Sequence, residues 1–165
     1  MTAFGDAGIT IDLPPGWDGQ MRAAGRGLTS HRATTATPVD DGPGVGVVLH
    51  AASFALPAER GDYGSGAVEV MGGSDVLVCL LEHEPEAVGT ALFAARGLPR
   101  LDSDLFSPQS MQRAVAGMAG AQQFFQVAGR PFCLYVVIGS WRTRGPLVRV
   151  ADQVASSIRI APARS

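Results

Sequence analysis

The sequence predicts an α+β fold, one mainly antiparallel β-sheet with helices packed on it as an α/β sandwich. Three observations carry that prediction. Apolar runs of strand length at 9–13, 76–82 and 132–138 are separated by Gly- and Pro-containing turns. Gly129 stands between two such runs, where a hairpin would reverse. Near the C-terminus Leu147, Val150, Ala151 and Val154 recur at helical spacing.

Each element follows from its local residues. Ile9, Ile11 and Leu13 alternate with polar residues and stop at Pro14-Pro15-Gly16, a strand entering a turn with Trp17 placed to pack beneath it. Residues 22–44 have little periodicity and read as a long irregular connection holding at most one weak strand. Val45, Val47 and Val48 restore strand character up to Leu56. A glycine-rich stretch with Gly61, Gly64, Gly66, Gly72 and Gly73 follows, in which 66–71 suits one or two helical turns stopped by Gly72. The run 76–82 is apolar on both faces, as a central strand covered on two sides would be. Residues 84–93 suit a short helix or a turn, broken by Pro85 and Gly89. Ser107 is a good N-cap and Pro108 suits the first position of a short helix. The hairpin around Gly129, a helix from Pro146 and a final strand at 158–160 complete a single domain over 1–165 with flexible termini.

A chain of 165 residues buries roughly 70% of its unfolded surface in one domain. Its 46% hydrophobic and 17% charged residues describe a globular chain with a generous core. All 13 basic residues are Arg, a bias that fits a GC-rich, bacterial genome rather than a task. A net charge of -2 argues against a dedicated nucleic-acid binder. Charge is unevenly spread, nine acids against three Arg over 59–104 and six Arg against one Asp over 130–165. Folding is expected to interleave these segments and average the field. No run of 18 apolar residues is present, so no membrane-spanning helix is expected. The opening residues contain acids and no apolar signal core, which reads as cytoplasmic. Cys79 and Cys133 then read as buried free thiols, although adjacent strands in an oxidising compartment could pair them.

No catalytic, cofactor-binding or metal-binding set emerges. His31 falls in the long connection and His50 inside a strand, neither with a patterned partner. His83 lies among Glu82, Glu84 and Glu86, but strand alternation turns His83 away from Glu82 and Glu84, so the group reads as a solvated strand end. The cysteines lack the charged neighbours that would lower a thiol pKa. The spacing Gly61, Gly64, Gly66 reverses the dinucleotide fingerprint, and a chain without Lys has no Walker lysine, so the glycine stretch reads as a connector. The tripeptide 60–62 matches an adhesion motif too short to carry a reading. An enzyme would regain ground if two of His31, His50, His83, Asp62 and Glu69 converged in a cleft. The residues best suited to touch a partner are Trp141, Arg142 and Arg144, joined by Asp62 and Tyr63 from the glycine-rich stretch, because Trp, Tyr and Arg are enriched at binding hot spots.

An opening strand ending in "LPPGW", a late hairpin with a long apolar strand, an amphipathic helix and a closing "SSIRI" strand resemble the PsbP/LpqN-like fold, which also contains Ran-binding Mog-type proteins. The similarity covers chiefly 9–17 and 122–160. It implies a binding or assembly role and no catalytic residues. The expected function is a non-catalytic module recognising another protein, without cofactor, nucleic acid or membrane. A small-ligand carrier with a pocket between sheet and helices is the alternative, and an enzyme comes third. A homo-oligomer is left open.

Overall fold

The computed structural model describes residues 1–23 and 46–163. It is an α+β fold, and among the described residues its strands form two antiparallel sheets rather than the single sheet expected. The smaller sheet has the order β1 (Thr2–Asp6), β2 (Ile9–Leu13), β8 (Arg159–Ile160). The larger contains β3 (Asp18–Ala23), β4 (Val47–Ala52), β5 (Val76–Glu82), β6 (Ala119–Val127) and β7 (Arg130–Ile138), in the order β3-β4-β5-β7-β6. The strand read as central, β5, is the middle strand of five and is apolar and buried along both faces up to Glu82.

Two hairpins share one device. Ala128 and Gly129 join β6 to β7 with φ of 54° and 74°, and Ala7 and Gly8 join β1 to β2 with φ of 53° and 77°. Positive φ at both central residues gives the twist that matches paired strands, and Gly accepts it without strain. At Gly5 a side chain would run into the backbone of Ile9 and Thr10, so the close pairing of β1 with β2 requires glycine there. Residues 22 and 23, expected in the irregular connection, belong to β3; the rest of that connection, including His31, lies outside the described residues.

The one α-helix among the described residues is α1 (Arg144–Ser156). Its buried stripe is Val148, Ala151, Val154 and Ala155, whereas Val150, expected on that stripe, is 38% exposed. The other expected helices are single 3-10 turns at Val68–Val70, Pro85–Gly89, Ala91–Phe93 and Pro108–Ser110. Each is too short to close a ladder of i to i+4 bonds. Ser107 nevertheless caps its turn as expected, its Oγ accepting from Gln109 N at 3.1 Å.

Alternation in the larger sheet separates two cores. Leu49, Val78, Leu80, Leu134 and Val136 face α1 and the β1-β2-β8 sheet, with Trp17 packed against this core. Leu77, Cys79, Leu81, Tyr135 and Val137 face the connection between β4 and β5, which contributes Leu56, Ala67, Val68 and Met71. Trp141 belongs to the first face and Tyr63 to the second.

Candidate functional site

On the second face, one lateral row of the larger sheet is polar from edge to edge. Gln20 of β3 lies opposite His50 of β4, His50 opposite Cys79 of β5, Cys79 opposite Tyr135 of β7, and Tyr135 opposite Gln122 of β6. The glycine-rich connection crosses this row. Gly64, with φ of 83°, comes so close that a Cβ would meet Leu77 Cδ2 at 2.6 Å and Cys79 Sγ at 3.4 Å. The connection therefore lies flat on the sheet only with glycine at this position.

Arginine and aspartate side chains fasten it there. His50, 1% exposed, places Nε2 2.7 Å from the Asp62 carbonyl oxygen, and its Nδ1 lies 2.9 Å from Arg60 Nε. Arg60 can only donate and a carbonyl can only accept, so His50 must carry its proton on Nε2 and be neutral. Burial drives the same way, opposed by the Asp62 carbonyl and helped by Arg60 and Arg22, and His50 is lowered to about 4. Arg60 also donates to the Pro57 carbonyl and to Gln20 Oε1, the latter at 2.6 Å. Arg22 pairs with Asp62 Oδ1, and Asp18 Oδ2 accepts from Leu56 N at 2.8 Å. Among the described residues, two buried atoms of this cluster, Asp62 Oδ2 and Arg22 Nε, have no hydrogen-bond partner.

This arrangement is a lock rather than a catalytic pair. Cys79 and His50 are cross-strand neighbours, but both imidazole nitrogens are engaged and neither is free to take a thiol proton. Burial, together with Cys133, pushes the Cys79 thiol far above its ordinary value, and burial pushes Cys133 up to about 11. Both cysteines are free and buried, as their apolar runs suggested. His50 and Asp62 do converge, yet through the carbonyl of Asp62 and inside the protein, not through two side chains in a cleft. The glycine stretch offers no cradle either. The N–H groups of Gly61, Gly64, Ala67 and Val68 bond within the stretch, and Gly66 N donates to Glu69 Oε2 at 2.6 Å.

A second buried charge cluster lies at the end of β5. Glu82 accepts from Arg130 Nε at 2.7 Å and from Arg130 Nη2 at 2.9 Å. Arg130 Nη1 donates to the carbonyls of Ala7 at 3.2 Å and Ala161 at 2.9 Å, tying the two sheets together. The strand end read as solvated is thus, for Glu82, the part-buried end of an ion pair. His83 is half-buried, its ring centroid 5.1 Å from Phe93 and 6.2 Å from Phe124, and burial lowers its pKa. Among the described residues no group of three or more His, Cys, Asp and Glu side chains could hold a metal ion.

The residues expected to touch a partner are not one patch. Asp62 is 5% exposed and turned to Arg22, and Tyr63 is half-buried with its ring 5.6 Å from that of Tyr135. Trp141, Arg142 and Arg144 stay together where β7 passes into α1. The Arg144 guanidinium lies 4.0 Å over the Trp141 ring and donates to the Trp141 carbonyl at 3.0 Å, while Arg142 is exposed. Glu82 of the acidic segment pairs with Arg130 of the basic one, and Arg100 of the acidic segment with Asp152 of α1. No helix of the described residues is long and apolar enough to cross a membrane. Comparison with protein-family models, curated proteins and solved structures finds no match.

Proposed function

We propose that this chain is a non-catalytic binding or assembly module that recognises another protein, built on an α/β sandwich of the PsbP/LpqN-like kind. The observation that carries the reading is the Trp141, Arg142 and Arg144 corner. Arg144 stacked at 4.0 Å on Trp141 holds a flat, preorganised surface beside the exposed Arg142. Rigid aromatic and guanidinium groups lose little freedom on binding, which is why they dominate interfaces. The titratable groups nearest to catalytic geometry, His50 and Cys79, are by contrast sealed and held neutral. Two free thiols fit a reducing compartment such as the cytoplasm.

The test compares the wild-type chain with the double variant Arg142→Glu/Arg144→Glu, matched in thermal stability, as baits in an extract of the native host. A protein retained in near-stoichiometric amount by the wild type and lost from the variant is the expected result. Equal retention by both baits, or no protein retained by the wild type, overturns the reading.

A further inference from the structure

We propose that the connection over 54–71 is an acid-released strap, detached from the sheet when His50 takes a second proton from solvent at Nδ1. That nitrogen is the acceptor of the Arg60 Nε–H at 2.9 Å. A proton on its lone pair removes the bond and sets an imidazolium against a guanidinium. The charged and titratable groups around His50, among the described residues, are Arg22 and Asp18 of β3, Arg60 and Asp62 of the strap, and Cys79 of β5. Two of the cations, Arg22 and Arg60, already bear on His50, while the Asp62 carboxylate is committed to Arg22 through Oδ1. Asp18 accepts from Leu56 N, so among the described residues a third positive charge meets no uncommitted carboxylate. The strap is fastened by these groups and by the buried side chains of Leu56, Ala67, Val68 and Met71, so the repulsion removes its polar anchor and leaves the apolar contacts to hold it.

The sign of the linkage follows from His50 being lowered in the closed form. Above pH 6.5 the closed strap keeps its full advantage. As pH falls from 6.5 to about 4, the open form binds the proton and the closed form does not, and below that both are protonated. The ratio of open to closed strap rises by up to about tenfold per pH unit inside this window, roughly 100-fold by pH 4 and about 300-fold only well below it. The strands beneath keep their own hydrogen bonds, so opening is local.

Hydrogen exchange of the full chain between pH 7 and pH 4, expressed as protection factors, reads this directly. Amides of Gly64, Ala67 and Val68, which bond within the strap, are expected to lose about 100-fold protection while β7 stays protected. In His50→Gln the loss disappears. In Asp62→Asn, which keeps the carbonyl bonded to His50, the loss persists. The proposal is overturned if wild-type strap protection is flat with pH, if it falls in step with β7, if His50→Gln shows the same profile, or if Asp62→Asn abolishes it.

Discussion

Among the described residues two clusters of charged side chains are removed from solvent, and they are completed differently. Around Arg130 both oxygens of Glu82 are paired, and the remaining guanidinium nitrogen reaches the backbone carbonyls of Ala7 and Ala161 at the end of the smaller sheet. Around His50 the groups are just as polar, but Asp62 Oδ2 and Arg22 Nε have no partner among the described residues and the imidazole is held neutral. A buried ion pair with every position filled fixes a structure, whereas one with orphaned atoms gives up stability that a second conformation can recover. The Arg130 cluster joins two sheets. The His50 cluster joins a sheet to one connection, the element with less to lose.

The contrast should appear first in stability. Arg130→Ala leaves the part-buried Glu82 carboxylate unpaired and removes the tie to Ala7 and Ala161, and a loss of about 3 kcal/mol in urea unfolding at pH 7 is expected. Arg22→Ala breaks an ion pair whose arginine is 24% exposed and already incompletely bonded. Its expected cost is smaller, about 1–2 kcal/mol. A cost for Arg22→Ala equal to that of Arg130→Ala would erase the distinction. A smaller effect tests the hairpin that presents Arg130: Ala128 sits at φ 54°, a conformation that favours Asn over Ala. Ala128→Asn is expected to raise stability by about 0.5–1 kcal/mol, with no change in the pH dependence of the strap.

Much of the frame was legible from local residues. The β6-β7 hairpin, the doubly covered β5 and the amphipathic α1 all announce themselves within a dozen residues. The β1-β2 hairpin was missed although Ala7-Gly8 repeats the Ala128-Gly129 dipeptide, and that repeat was the available signal. The second sheet was hidden because β2 pairs with β8 across most of the chain. Val150 kept helical spacing but lies outside the buried stripe centred on Val148 and Ala151. The candidate site was legible only in part. Trp141, Arg142 and Arg144 are neighbours in sequence and stay neighbours in space. His50, Cys79 and Tyr135 meet through strand register, which no local pattern encodes. Arg60 and Asp62 looked like an adhesion tripeptide because nothing nearby reveals that both side chains turn inward to β3 and β4.

The protonation state of His50 decides between a switchable lock and an ordinary buried histidine. Long-range proton–nitrogen correlation spectra of the imidazoles, recorded from pH 8 to pH 4, observe it directly. His50 is predicted to remain a neutral Nε2–H tautomer until the pH approaches about 4. Titration near the ordinary value of 6.5, or a proton resident on Nδ1 at neutral pH, would contradict the account.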